Sequence, residues 1–179
     1  AKIFPIGSAN ISSDIAIGLK IPYELAEEIK IKKGYAFSKD IGAKEYVEAD
    51  EFENKFKNKI SKKFLAEIIE ARLSEIFGLI NKEIKLQGEN IELAGGAVIC
   101  GGGAKMPGLV DLAKDELKIP VQIGVPLVED FELDNDDNEY FNDPENANVL
   151  GLVLLAKEYE KWEEKKKSSF KKIGNFFGY

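Results

Sequence analysis

The sequence predicts an α/β fold with a smaller lobe inserted between Pro22 and Gly88. Three observations carry this expectation. Strand-like and helix-like segments alternate along the chain, the pattern of mixed layers rather than of a bundle or a sandwich. Leu65, Ile68, Ile69, Leu73, Ile76, Phe77, Ile80 and Ile84 recur at helical spacing and define one broad apolar face of a long core helix. The apolar run Ala97-Val98-Ile99-Cys100 stops in Gly101-Gly102-Gly103-Ala104, and Pro107-Gly108 then opens the helical pattern Leu109, Leu112, Ala113, Leu117. Strand, glycine loop, helix is the implied order.

The remaining elements follow in turn. Lys2 to Gly7 is strand-like, and Asn10 to Leu19 reads as a short helix with Ser12-Ser13-Asp14 as its cap. Pro22 restarts the chain. Tyr23, Leu25, Ala26, Ile29 and Ile31 form a helical stripe that Gly34 closes. Tyr35 to Ala49, punctuated by Asp40-Ile41-Gly42, reads as a small hairpin. Asp50 and Glu53 have capping-box spacing, and Phe52, Phe56, Ile60 and Phe64 recur every fourth residue. One helix therefore starts at Asp50, or a new one starts at Ser61. Gln87-Gly88 closes the long helix, and Val121-Gln122-Ile123 is a further short strand. An acidic loop runs from Pro126 to Pro144, and a last helix from Glu145 to about Lys167.

Composition narrows the function. With 179 residues, 44% of them apolar, the chain can bury one core or two small ones. The net charge of −7 argues against a nucleic-acid binder, which needs a basic surface. Charge is local: nine acids and no bases lie between Glu129 and Glu145, and five lysines and no acids between Lys165 and Tyr179. One cysteine, Cys100, and no histidine leave little for a disulfide, a zinc site or a serine–histidine relay, and fit a reducing cytoplasm. The longest apolar run, Val149 to Ala156, is far short of the roughly 20 residues that span a bilayer. The chain begins at Ala1 with no initiator methionine, which reads as a fragment.

The glycine loop is the most informative feature. Consecutive glycines after a strand let a ligand touch the backbone, and the next helix presents unpaired N–H groups toward the loop. The same residues also serve as a plain strand-to-helix turn. They match neither Gly-x-Gly-x-x-Gly nor a phosphate loop ending in Gly-Lys-Ser.

Gly101-Gly102-Gly103-Ala104-Lys105-Met106-Pro107-Gly108 resembles the adenosine motif of the actin and heat-shock-chaperone ATPases, in the form typical of the FtsA family of bacterial cell-division proteins. Pro5-Ile6-Gly7 with Asp14-Ile15-Ala16-Ile17-Gly18-Leu19 is similar to that family's glycine-then-DIAxGL element. Ala26-Glu27-Glu28-Ile29-Lys30 with Gly34-Tyr35, and Leu65 to Arg72 with Glu75-Ile76-Phe77, resemble its AExIK and LAEIIEAR helices. The resemblance implies an actin-like (ribonuclease H-like) ATPase fold. It places the start of subdomain 2A at residues 1–20 and the small α+β lobe, subdomain 2B, at 21–90. Residues 91–125 would return to 2A with the adenosine loop. An acidic loop at 126–144, a C-terminal helix at 145–167 and a membrane-targeting amphipathic helix at 168–179 complete the organisation. Other jobs for such a chain are a cell-shape or pilus-assembly ATPase, or a non-enzymatic interaction domain.

Carried over by residue, the resemblance sets adenine against Gly101, Gly102 and Gly103 with Met106 on one ring face, and Glu27 and Lys30 toward the ribose hydroxyls. Taken alone, a Glu/Lys pair at this spacing is more often an exposed ion pair. The intact protein would bind ATP or ADP with magnesium and hydrolyse weakly at most. Of the Asp-x-Gly hairpins that hold phosphate and magnesium in the family, Asp40-Ile41-Gly42 is a match on paper alone: no apolar strand leads into it and its order relative to Lys30 is wrong, so it reads as an ordinary turn and no catalytic residue is assigned. Arg72 matches an arginine of the surface that receives the C-terminal peptide of FtsZ, and the bare alternative is a solvated arginine balanced by Glu75 or Glu70. Self-association of the intact protein is a further implied partnership.

The tail is legible without the family. Phe170, Ile173, Phe176 and Phe177 cluster on one side at about 100° per residue, with Lys171 and Lys172 beside them. Such a segment suits the headgroup layer of an anionic membrane, where rings enter the acyl boundary and lysines meet phosphate. The plain alternative is a frayed terminus. The expected location is cytoplasmic, peripheral on the inner face of the cell membrane at the division site.

Overall fold

The computed structural model describes residues 1–48, 50–52, 59–88, 93, 95–126 and 141–177, with side chains through Glu163 except at residue 50. The chain divides into two compact units, one of residues 1–99 and 103–123, the other of residues 100–102 and 124–179.

The first unit begins without the expected strand. Residues 1–7 are irregular, with Ile3 exposed, because a strand needs a neighbour for its N–H and C=O groups and none lies alongside among the described residues. Helix α1 is Ser8–Leu19 and starts before the expected cap, with the Asn10 side chain accepting from the Gly7 N–H at 2.9 Å. Ser12 is therefore no cap but an interior helical residue, fully buried. Helix α2, Tyr23–Lys33, buries Leu25, Ala26 and Ile29, while Ile31 points outward.

The expected hairpin within Tyr35 to Ala49 does not form. A 3-10 turn occupies Ser38–Asp40, and β1, Tyr46–Val47, pairs antiparallel with β2, Ile60–Ser61. A strand at Ile60 overturns a single helix running from Asp50, and the Phe56 position lies outside the described residues. Phe52 and Ile60 are buried and Phe64 is exposed, so their spacing of four reflects separate elements.

Helix α3, Lys62–Leu86, starts at the Ser61 alternative, whose hydroxyl accepts from the Phe64 N–H at 3.3 Å. Ser61→Ala is expected to cost about 1 kcal/mol, read as a lower urea midpoint with unchanged slope. Leu65, Ile69, Leu73 and Phe77 of α3 are buried in a core shared with Ile11 and Ile15 of α1 and Leu25 and Ile29 of α2. Strand β3, Ala97–Ile99, helix α4, Leu109–Leu117, and strand β4, Val121–Ile123, make a βαβ unit in which Val98 lies opposite Gln122 in parallel register. Leu109, Leu112 and Leu117 seat α4 in the same core.

In the second unit a 3-10 turn, Pro144–Asn146, leads into α5, Ala147–Phe177. The Asp143 carboxylate accepts from the Glu145 N–H at 2.8 Å and caps this turn. The backbone of α5 runs without a break past residue 168, where the sequence divides a core helix from a membrane helix. Residues 127–140 of the acidic loop lie outside the described residues.

Candidate functional site

The site begins with Lys30, only 6% exposed on the inner face of α2. A buried ammonium must be fully hydrogen-bonded, because its desolvation is otherwise too costly. Its Nζ lies 2.8 Å from Glu27 Oε2, 2.9 Å from Ser12 Oγ, 2.9 Å from Ser8 Oγ and 3.2 Å from the Ser8 carbonyl oxygen. Ser12 also hydrogen-bonds Glu27 Oε2. Burial pushes the Glu27 carboxyl up, but hydrogen bonds from Lys30 and Ser12 and the Lys30 charge outweigh it and hold the group below the ordinary glutamate range. Glu27 therefore stays ionised with its outer face in solvent. The sequence brought forward Glu27 and Lys30; it missed Ser8 and Ser12, whose only signal is their i, i+4 spacing on one helix face.

The glycine loop connects β3 to α4. Gly101 has a φ of +93°, which favours glycine, and its N–H donates to the Pro144 carbonyl oxygen at 2.7 Å within the second unit. Gly102 also belongs to that unit, and a Cβ there would make ordinary contact with Glu145 at 3.5 Å. Gly103 and Met106 belong to the first unit. Met106 is half-buried against the core, and a Cβ added to Gly103 would meet nothing within 4 Å. At the end of the loop the Pro107 carbonyl accepts from the Ala36 N–H at 2.8 Å, tying the chain just after α2 to the loop just before α4.

Arg72 is partly exposed, and it is not balanced by Glu75 or Glu70 alone. Its Nε and Nη2 donate to the two oxygens of Asp14 at 2.6 and 2.9 Å, and Nη1 lies 2.5 Å from Glu75 Oε2. Hydrogen bonding to Asp14 first, with the charges of Asp14 and Glu75, raises the guanidinium's already high pKa. The fork clamps α1 to α3, and two of the five guanidinium N–H groups have no partner among the described residues. Asp14 was the residue that sequence reasoning placed in a cap.

Phe170, Lys171, Lys172, Ile173, Phe176 and Phe177 sit on the α5 backbone, and their side chains lie outside the described residues. Nearer its start, α5 exposes Leu152, Leu155, Tyr159 and Trp162, with the Tyr159 and Trp162 rings 5.9 Å apart. Among the described residues no helix is long and apolar enough to cross a membrane, and no group of acids and cysteine has a metal-binding arrangement.

The family model of cell division protein FtsA matches residues 1–151. This chain belongs to the FtsA family. It is 35% identical over 170 residues to the cell division protein FtsA of Borreliella burgdorferi, covering 94% of this chain and 40% of that protein. With the FtsA of Pseudomonas aeruginosa it is 36% identical over 124 residues, covering 69% and 30%, and with that of Bacillus subtilis 35% over 157 residues, covering 87% and 33%. The chain thus spans between 30% and 40% of the length of these FtsA relatives. Among solved structures, MreB 5 of Spiroplasma citri bound to AMPPNP superposes with a TM-score of 0.60 at 20% identity, over 89% of this chain and 46% of that one. The fold of this FtsA-family chain is accordingly actin-like.

Proposed function

We propose that this chain is part of a membrane adaptor of the division ring: an actin-like ATP binder that holds the C-terminal peptide of FtsZ and rests on the inner face of the cytoplasmic membrane. Its residues supply the adenosine side of the nucleotide site. Adenine meets Gly103 with Met106 at its face, and Glu27, kept in place by Lys30, accepts from the ribose hydroxyls. Phosphate, magnesium, any hydrolysis and self-association belong to the intact protein.

The observation that supports this best is the glycine loop between β3 and α4, where a Cβ added to Gly103 would meet nothing within 4 Å among the described residues, leaving its backbone open to a flat ring. For the partner peptide, the support is Arg72, whose two remaining N–H groups can take an incoming carboxylate without breaking the Asp14 fork. For the membrane, the support is the run of phenylalanine and lysine on the last three turns of α5. Each lysine near an anionic surface contributes roughly 1 kcal/mol, and the rings add apolar burial.

The test is a reconstitution with the full-length protein that carries this chain, ATP, FtsZ and anionic vesicles. FtsZ floats with the vesicles, and removing Ser168 to Tyr179 reduces flotation of both proteins by at least about tenfold. Flotation that survives the deletion removes the anchor from the reading. FtsZ that stays behind while the intact protein floats removes the adaptor.

A further inference from the structure

We infer that Ser12 is a positioning residue for ribose recognition: its buried hydroxyl, with Lys30, fixes one oxygen of Glu27 so that the other meets the vicinal hydroxyls of a nucleotide. The inference rests on the nucleotide reading above and changes the roles within it.

The count of protons forces this arrangement. The Lys30 ammonium has three N–H groups and four oxygens within reach, Glu27 Oε2, Ser12 Oγ, Ser8 Oγ and the Ser8 carbonyl. In this structure all three are engaged by protein oxygens. Ser12 Oγ accepts from Lys30 and therefore turns its own proton elsewhere. The Glu27 carboxylate is the near, charged acceptor, whereas the Ser8 carbonyl oxygen is 3.4 Å away. Oε2 thus receives two hydrogen bonds, from Lys30 and from Ser12. Oε1 has no partner among the described residues, and the Glu27 side chain is 36% exposed while Ser12 is fully buried.

A carboxylate held by a single oxygen through two donors on different helices has its plane and its outward oxygen set before any ligand arrives. Such pre-organisation favours a ligand carrying paired hydroxyls over one that lacks either. A serine that merely filled the core would affect stability and leave that preference alone.

The experiment measures affinities of ATP, 2′-deoxy-ATP and 3′-deoxy-ATP for the full-length protein that carries this chain, as wild type, Ser12→Ala and Ser12→Cys. Cysteine keeps the volume of the site while its thiol is a weak donor, so the proposal stays testable where alanine impairs folding. Wild type is expected to prefer ATP over both analogues by roughly tenfold, a hydrogen bond to a charged acceptor. In both variants that preference falls to within about twofold. A wild-type preference retained in both variants overturns the role of Ser12 and leaves the nucleotide reading standing. Equal affinity of wild type for all three nucleotides overturns ribose recognition by Glu27, and Ser12 with it. No affinity for any of them overturns the nucleotide reading itself.

Discussion

Replacing Gly108 with alanine is expected to destabilise the protein by about 2–4 kcal/mol, through left-handed backbone strain and a displaced aromatic ring. Gly108 has a φ of +77° as the residue before α4, and a Cβ there would stand 2.7 Å from Cε1 and 3.1 Å from Cδ1 of Tyr35. The ring has little freedom to give way. Its hydroxyl lies 3.2 Å from Asp40, and the next residue, Ala36, is tied by its N–H to the Pro107 carbonyl oxygen. Urea unfolding checks the expectation as a lower midpoint with unchanged slope. Gly108→Asn separates the two causes, because asparagine tolerates the left-handed region but carries the same Cβ. It should recover part of the loss and no more. An alanine variant as stable as wild type would mean that Tyr35 does not pack over this turn.

Lys30→Met is the second large effect, a loss of about 2 kcal/mol at about pH 7. Breaking a buried ion pair from one side costs about 3–5 kcal/mol when the orphaned charge stays buried. Here Glu27 is 36% exposed and can turn toward water, which reduces the cost. Ser8 and Ser12 still lose a charged donor. The sign with pH follows from Glu27, whose folded-state pKa lies below the ordinary value of 4.5. A depressed carboxyl contributes stability that is fully present above its unfolded pKa and is lost as the pH falls through the folded one. The gap between wild type and variant is therefore expected to narrow between about pH 6 and about pH 3. Urea midpoints across that range decide it: a gap independent of pH would show that the Glu27–Lys30 contact contributes nothing to the folded state.

Much of this protein is legible in its residues, and the legible parts share a cause. The α3 face, the strand–glycine loop–helix order and the stripe of α2 all follow from local periodicity, which depends only on neighbours a turn or less away. The short elements misled. A hairpin within Tyr35 to Ala49 was expected because turn residues are dense there, yet β1 takes its partner from Ile60–Ser61, beyond the reach of any local pattern. Phe52 and Ile60 imitated a helical stripe because both are buried, each in a different element.

The site divides along the same line. Local sequence determined that Glu27 and Lys30 share one face of α2, that glycines follow β3, and that the last turns of α5 pair phenylalanine with lysine. Only the packing of α1 against α2 and α3 decided that Ser8 and Ser12 close over Lys30, and that Asp14 receives the fork of Arg72. The physical reason is that serine and aspartate near a helix start are most cheaply satisfied by their own backbone. In this chain Asn10 meets the N-terminal demand at Gly7, which leaves Ser12 and Asp14 to be claimed by charges that the fold brings from 18 and 58 residues away.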